Sequence, residues 1–167
     1  MITPRCIVDG QIDVELANHI SEEDYNVIIK RSYVHKYDVI MPTIGTIGNP
    51  VLIETDQPIA LKNVAIFHTN GSEMLGKYIK YLLDSTVVKT QFDLDQYDGT
   101  KDFVTQETLK NLTVPFPARL NEVVSFLDEK CSWIDSIIRE KQALICELES
   151  YKKSLVYEVV TGKRRVC

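Results

Sequence analysis

Residues 118–161 read ARLNEVVSFLDEKCSWIDSIIREKQALICELESYKKSLVYEVVT, without a glycine or a proline. Alternate steps of four and three from Leu120 land on Leu120, Val124, Leu127, Cys131, Ile134, Ile138, Lys141, Ile145, Leu148, Lys152, Leu155 and Val159. All but the two lysines are apolar, the spacing of a helix face that buries itself against another helix. Ile137, Leu144 and Tyr151 widen that stripe on one side. An unbroken helix here would be about 60 Å long at a rise of about 1.5 Å per residue. A domain of some 115 residues has an expected radius of gyration of only about 13 Å, so the helix outruns its own domain and calls for a partner. Leu127, Ile134, Ile138, Ile145, Leu148 and Leu155 are the expected pairing residues, with Lys141 and Lys152 available to set register. Thr161-Gly162 supplies a stop, and Lys163-Arg164-Arg165 puts cations at the negative end of the helix dipole.

Upstream of the helix, Val114-Pro115-Phe116-Pro117 forms a seam. Two prolines in three residues do not continue a helix and push their predecessors toward extended backbone, so a stiff hinge or a final strand is expected. Before the seam the pattern changes to short apolar runs separated by turn signals. Cys6-Ile7-Val8, then Asp9-Gly10, then Ile12 and Val14 read as a hairpin. Ser21 followed by Glu22-Glu23-Asp24 starts a short amphipathic helix through Ile29. Strands are expected at Val39–Met41, Val51–Glu54 and Val64–His68, the second after a turn at Gly48-Asn49-Pro50. Met74 to Val88 has helix spacing and reads as one packed helix, followed by a polar loop from Asp93 to Asp102. Thr105 then caps a turn, and Leu109, Leu112 and Val114 close the domain. The fold class is therefore α+β: a small mixed domain over residues 1–117, then a single long helix over 118–167 that pairs as a coiled coil.

With 167 residues and 44% hydrophobic content, the chain has ample material for a core. No apolar stretch approaches the roughly 18 residues of a membrane span, and a cytoplasmic location is the expectation. Cys6, Cys131, Cys146 and Cys167 are scattered without a CxxC pair, so neither a zinc site nor a disulfide framework is indicated and the thiols are expected to be reduced. His19, His35 and His68 fall on unrelated elements and read as surface or satisfied histidines. No nucleophile with a base, acid pair or metal cluster announces itself, so no catalytic residue, metal ligand or cofactor is expected. The net charge of −5 is uneven: residues 1–117 hold 10 Lys+Arg against 16 Asp+Glu, whereas residues 118–167 hold 9 against 8. That balance disfavours a simple nucleic-acid binder, and any DNA binding by the first part needs a local basic face or help from partners.

Three short polar loops are candidates for such contacts. Thr43, Gly45, Thr46 and Gly48 lie in a Thr-Ile-Gly-Thr-Ile-Gly turn that lacks both a GKS/T ending and a GxGxxG spacing. That turn either presents its hydroxyls to a base edge or a phosphate, or is simply a tight turn needing positive φ at Gly45 or Gly48. Lys62-Asn63 and Gly99-Thr100-Lys101 are open to the same two readings.

Taken together, the two parts resemble the specificity subunit of type I restriction-modification systems. Asp38-Val39-Ile40-Met41 followed by Gly45-Thr46-Ile47-Gly48 looks like that family's strand and Gly-Thr-Ile-Gly turn, and Ala60-Leu61-Lys62-Asn63-Val64-Ala65-Ile66 like its next strand. Gly99-Thr100 with Leu109 to Pro117 resembles the close of a target-recognition domain. Phe126-Leu127-Asp128, Ile134-Asp135, Leu148, Tyr151-Lys152 and Val160-Thr161-Gly162-Lys163 resemble the helical conserved region. The resemblance implies a non-catalytic subunit that reads double-stranded DNA for a methyltransferase subunit and, through the complex, a nuclease/translocase subunit. It implies one recognition domain and one helix where the family has two of each, hence a homodimer or pairing with a second half-subunit. The family's domain also begins several dozen residues before the stretch matching Ile7 to Asp13, and Glu122-Val123 stands where Glu-Gln is usual. A structural or interaction protein that pairs through its helix without reading DNA is the alternative.

Overall fold

A computed structural model describes residues 1–45, 47–95 and 103–165. The chain divides into two compact units, Met1–Asn121 and Glu122–Cys167.

In the first unit, β1 (Ile7–Val8) and β2 (Gln11–Ile12) pair antiparallel, with Ile7 opposite Ile12. Asp9 and Gly10 at φ 49° and 72° provide the two left-handed residues that a two-residue hairpin turn needs. Val14 does not continue β2: the Asp13 side chain accepts from Glu15 N–H and starts a 3-10 turn instead. Ser21 caps α1 (Glu22–Ile28) by accepting from Asp24 N–H at 3.0 Å, as its position before three acids implies.

The centre of the unit is a three-stranded antiparallel sheet in the order β4 (Val51–Leu52), β3 (Val39–Pro42), β5 (Val64–Phe67). Every residue of β3 is buried, and its side chains alternate between two cores. Ile40 joins Ile2, Cys6, Ile7, Val51, Ile53 and Leu61 on one face. Val39 and Met41 join Leu83, Val88, Phe92 and Val104 on the other. A strand covered on both faces reads as a continuous apolar run, which is what Val39-Ile40-Met41 is. The N-terminus closes the first core: Ile2 N–H donates to Ala60 O at 2.7 Å, and Lys62 N–H donates to Ile2 O at 3.0 Å.

The single helix expected from Met74 to Val88 is two helices, α2 (Glu73–Asp84) and α3 (Thr86–Asp95). Ser85 makes the break. Its N–H and its hydroxyl both donate to Leu82 O, its ψ turns to 154°, and its own carbonyl then accepts from Lys89 N–H to open α3. The restart aims Val88 and Phe92, one turn apart, into the second core. It also carries helix into the expected polar loop as far as Asp95, while residues 96–102 lie outside the described part. Thr105 caps α4 (Gln106–Lys110), accepting from Thr108 N–H at 3.1 Å. Leu109 and Leu112 pack on the second core, but Val114 is exposed.

The proline seam forms no strand. It is pinned to α2: the Tyr78 hydroxyl donates to Pro115 O, and the Phe116 ring meets Tyr78 edge-on at 5.8 Å. The last helix, α5 (Leu120–Val160), has 41 residues and confirms the unbroken periodicity read from the sequence. Past it Gly162 adopts φ 72°, and Arg164 N–H returns to Glu158 O, so Thr161-Gly162 acts as the stop. Among the described residues, no helix is long and apolar enough to cross a membrane.

Candidate functional site

Where β3 ends, Thr43 becomes a junction. Its N–H and its hydroxyl both donate to the carbonyl of Asn63, at 3.3 and 3.1 Å, and its own carbonyl accepts from Val104 N–H at 2.8 Å. Ile44 forms an isolated antiparallel bridge with Phe103. Two of the three candidate loops are therefore joined at one end of the sheet, along with the segment that starts at Phe103. Thr46, Gly99, Thr100 and Lys101 lie outside the described residues.

The glycine turn needs its glycines for their torsions. Gly45 and Gly48 sit at φ 79° and 96°, and a Cβ on either would meet nothing within 4 Å. Gly45 is exposed and Gly48 buried. The Thr43 hydroxyl has its proton committed to Asn63, leaving only its lone pairs to an outside group. Lys62 and Asn63 are exposed, Asn63 in the left-handed region at φ 59°.

Beside this junction runs a groove of about 630 Å³ along β5, with Arg31, Thr43, Asn63, His68, Gln106 and Lys110 in its lining. Among the described residues that line it there is no carboxylate, and two permanent cations are present. Among the described residues neither Arg31 nor Lys110 has an ion-pair partner. The stretch 1–117, whose sequence balance is −6, thus carries a local basic concavity, built by folding residues 31 and 110 to one place. Arg31 and Lys110 were not singled out in the sequence, because their separation there conceals their shared groove.

At the far end of β5 a second cluster forms. Asp38 is 1% exposed, yet its carboxylate is fully partnered. Oδ1 accepts from Thr69 N–H at 2.9 Å, and Oδ2 from His35 N–H at 2.9 Å, with His68 Nδ1 also 2.9 Å from Oδ2. Burial by itself would raise the Asp38 pKa; the hydrogen bonds from His35, Thr69 and His68 outweigh it and hold the carboxyl below its usual value. Both histidine side chains remain more than half exposed, and His35 Nδ1 lies 3.6 Å from Asp38 Oδ2. Sequence reading kept His35 and His68 apart. The β3–β5 register, with Val39 opposite Phe67, places residue 38 across from residue 68.

The α5 residues expected from the sequence to pair carry their apolar surface in the open: Ile134 and Ile138 are each 47% exposed, Ile145 55% and Leu148 57%, with Leu127 and Leu155 half-buried. From residue 125 to residue 160 no residue is buried.

Fold and site together describe a small α+β domain with a basic groove, followed by a long amphipathic helix. No known protein family's profile matches the chain. Among curated proteins it is similar to the type I restriction enzyme EcoBI specificity subunit of Escherichia coli, 22% identical over 160 residues. That similarity covers 94% of this chain and 34% of the relative, so the chain spans about a third of the length of the protein it matches.

Proposed function

We propose that the chain is a non-catalytic DNA-recognition half-subunit, which gives target specificity to a methyltransferase subunit and, through the complex, to a nuclease/translocase subunit. The observation that carries this reading is the similarity to a restriction specificity subunit along 94% of the chain. The basic groove supports it physically, because it meets the need for a local cationic face in a domain of negative balance. Residues 1–117 form the recognition domain, and residues 118–167 the helical spacer. In this reading Arg31, Lys110 and Lys62 meet phosphates, while Thr43 to Gly48, Asn63 and Gly99 to Lys101 approach base edges. The helix pairs with a second copy or another half-subunit, and its length sets the distance between half-sites. The complex works on double-stranded DNA in the cytoplasm.

The test is duplex binding by the chain assembled with its methyltransferase subunit, followed by fluorescence anisotropy across a salt series. Affinity should fall steeply with salt. Arg31→Ala and Lys110→Ala should each weaken binding to all sequences alike and reduce the salt slope by about 0.9. Binding that is absent, or indifferent to salt, overturns the proposal.

One observation favours a second reading. The long open stripe on α5, beside a domain of net negative charge, suits a protein that pairs through its helix and reads no DNA. Under that reading Lys62→Glu leaves every association unchanged.

A further inference from the structure

We propose that His35, Asp38 and His68 form a binding site for a divalent transition cation of the zinc class. This inference is independent of DNA recognition. His35 Nδ1, Asp38 Oδ2 and His68 Nδ1 offer two imidazole nitrogens and one carboxylate oxygen, all within 4.8 Å of one another. A tetrahedral cation with bonds of about 2.0–2.1 Å holds its donors roughly 3.3 Å apart. The two histidine nitrogens stand 2.9 and 3.6 Å from the carboxylate oxygen, on either side of that spacing.

The arrangement is anchored at one corner and adjustable at the other two. Asp38 is buried and oriented by two backbone N–H groups, one on each oxygen, so its position survives the loss of the His68 hydrogen bond. Both rings are more than half exposed, His35 edge-on to Tyr33 at 4.2 Å and His68 bonded to Asp38, and closure around an ion requires only a short adjustment of each. On binding, His68 Nδ1 exchanges its hydrogen bond to Asp38 for a bond to the cation, and its proton moves to Nε2 or to solvent. Two nitrogens and one oxygen select zinc, cobalt, nickel or copper over calcium or magnesium, which take all-oxygen shells. Three protein ligands leave at least one position open to water. The cation would fasten the turn that carries His35 to the end of β5, the strand that floors the basic groove.

The test is titration of the full chain, under reducing conditions, with cobalt(II) alone, followed by visible absorption. A saturable band at one equivalent, without sulfur-to-cobalt charge transfer and displaced by zinc, is expected. His35→Gln and His68→Gln, both at exposed positions and so tolerated by the fold, should each weaken binding at least tenfold. Zinc should also raise the melting temperature of the wild-type chain and not that of the double variant. No saturable binding, binding that survives both substitutions, or a band with sulfur character that disappears on replacing Cys131, Cys146 and Cys167 by serine overturns the site.

Discussion

Thr43 and Asn63 are tied together twice, by the N–H and the hydroxyl of Thr43 on the one Asn63 carbonyl. That pair locks the glycine turn against the entry to β5, and the left-handed backbone of Asn63 is what turns its carbonyl to meet Thr43. Thr43→Val should cost about 1 kcal/mol of stability, the usual net value of one hydrogen bond. Asn63→Val should cost about 1–2 kcal/mol, because a β-branched residue resists positive φ, while Asn63→Gly should be nearly neutral. Urea denaturation measures all three. A change in duplex binding by Asn63→Gly without a change in stability would assign the side chain itself to recognition.

Gly76 in α2 reverses a familiar rule. Glycine inside a helix usually gains up to about 1 kcal/mol when replaced by alanine. Here an added Cβ would run into Tyr37 O and come within 2.6 Å of Leu52 Cδ1, because α2 crosses the sheet backbone at this point. Gly76→Ala should therefore destabilise the domain by about 1–3 kcal/mol, read as a lower urea midpoint at unchanged slope. A more stable variant would show that α2 is free to lift away from β4.

Asp38 should make stability depend on acid. Its hydrogen bonds hold the folded pKa below the ordinary aspartate value, so its contribution is fully present above the unfolded pKa and is lost as pH falls through the folded one. Asp38→Asn keeps the shape without that titration, and it weakens acceptance from the Thr69 and His35 N–H groups. It should be destabilised by about 1–3 kcal/mol at pH 7, with the gap to wild type narrowing below pH 3.8. Guanidinium melts at pH 7, 5 and 3 measure the gap. A constant difference over that range would mean that the carboxylate's charge contributes nothing.

On α5, Ile138→Asp and Leu148→Asp place charges in the middle of the exposed stripe. If the stripe pairs with a second helix, the wild-type chain should run as a dimer in light scattering and both variants as monomers, since an unpaired buried charge is costly. Helicity by circular dichroism should fall with the mass, because a lone amphipathic helix takes most of its stability from packing. A wild-type monomer at high concentration would sink the pairing.

What the chain's own order of residues determined is the part governed by local rules. The α5 stripe, the Asp9-Gly10 hairpin, the caps at Ser21 and Thr105, and the buried strand at Val39 to Met41 each follow from spacing or from a side chain's reach to its neighbours. The break at Ser85 was not legible, because apolar spacing runs through it and only the cores on either side show that two helix directions are needed. The proline seam was legible as the break before the last helix, though not its fastening to Tyr78, and it forms no final strand. Tertiary structure alone decided which distant residues meet. Antiparallel pairing of β3 with β5 sets Asp38 against His68, 30 positions away, and the packing of α4 brings Lys110 to Arg31 beside the Thr43–Asn63 junction. Periodicity reports which face of an element is buried, but the groove and the histidine cluster depend on the register between elements, which no single stretch of sequence contains.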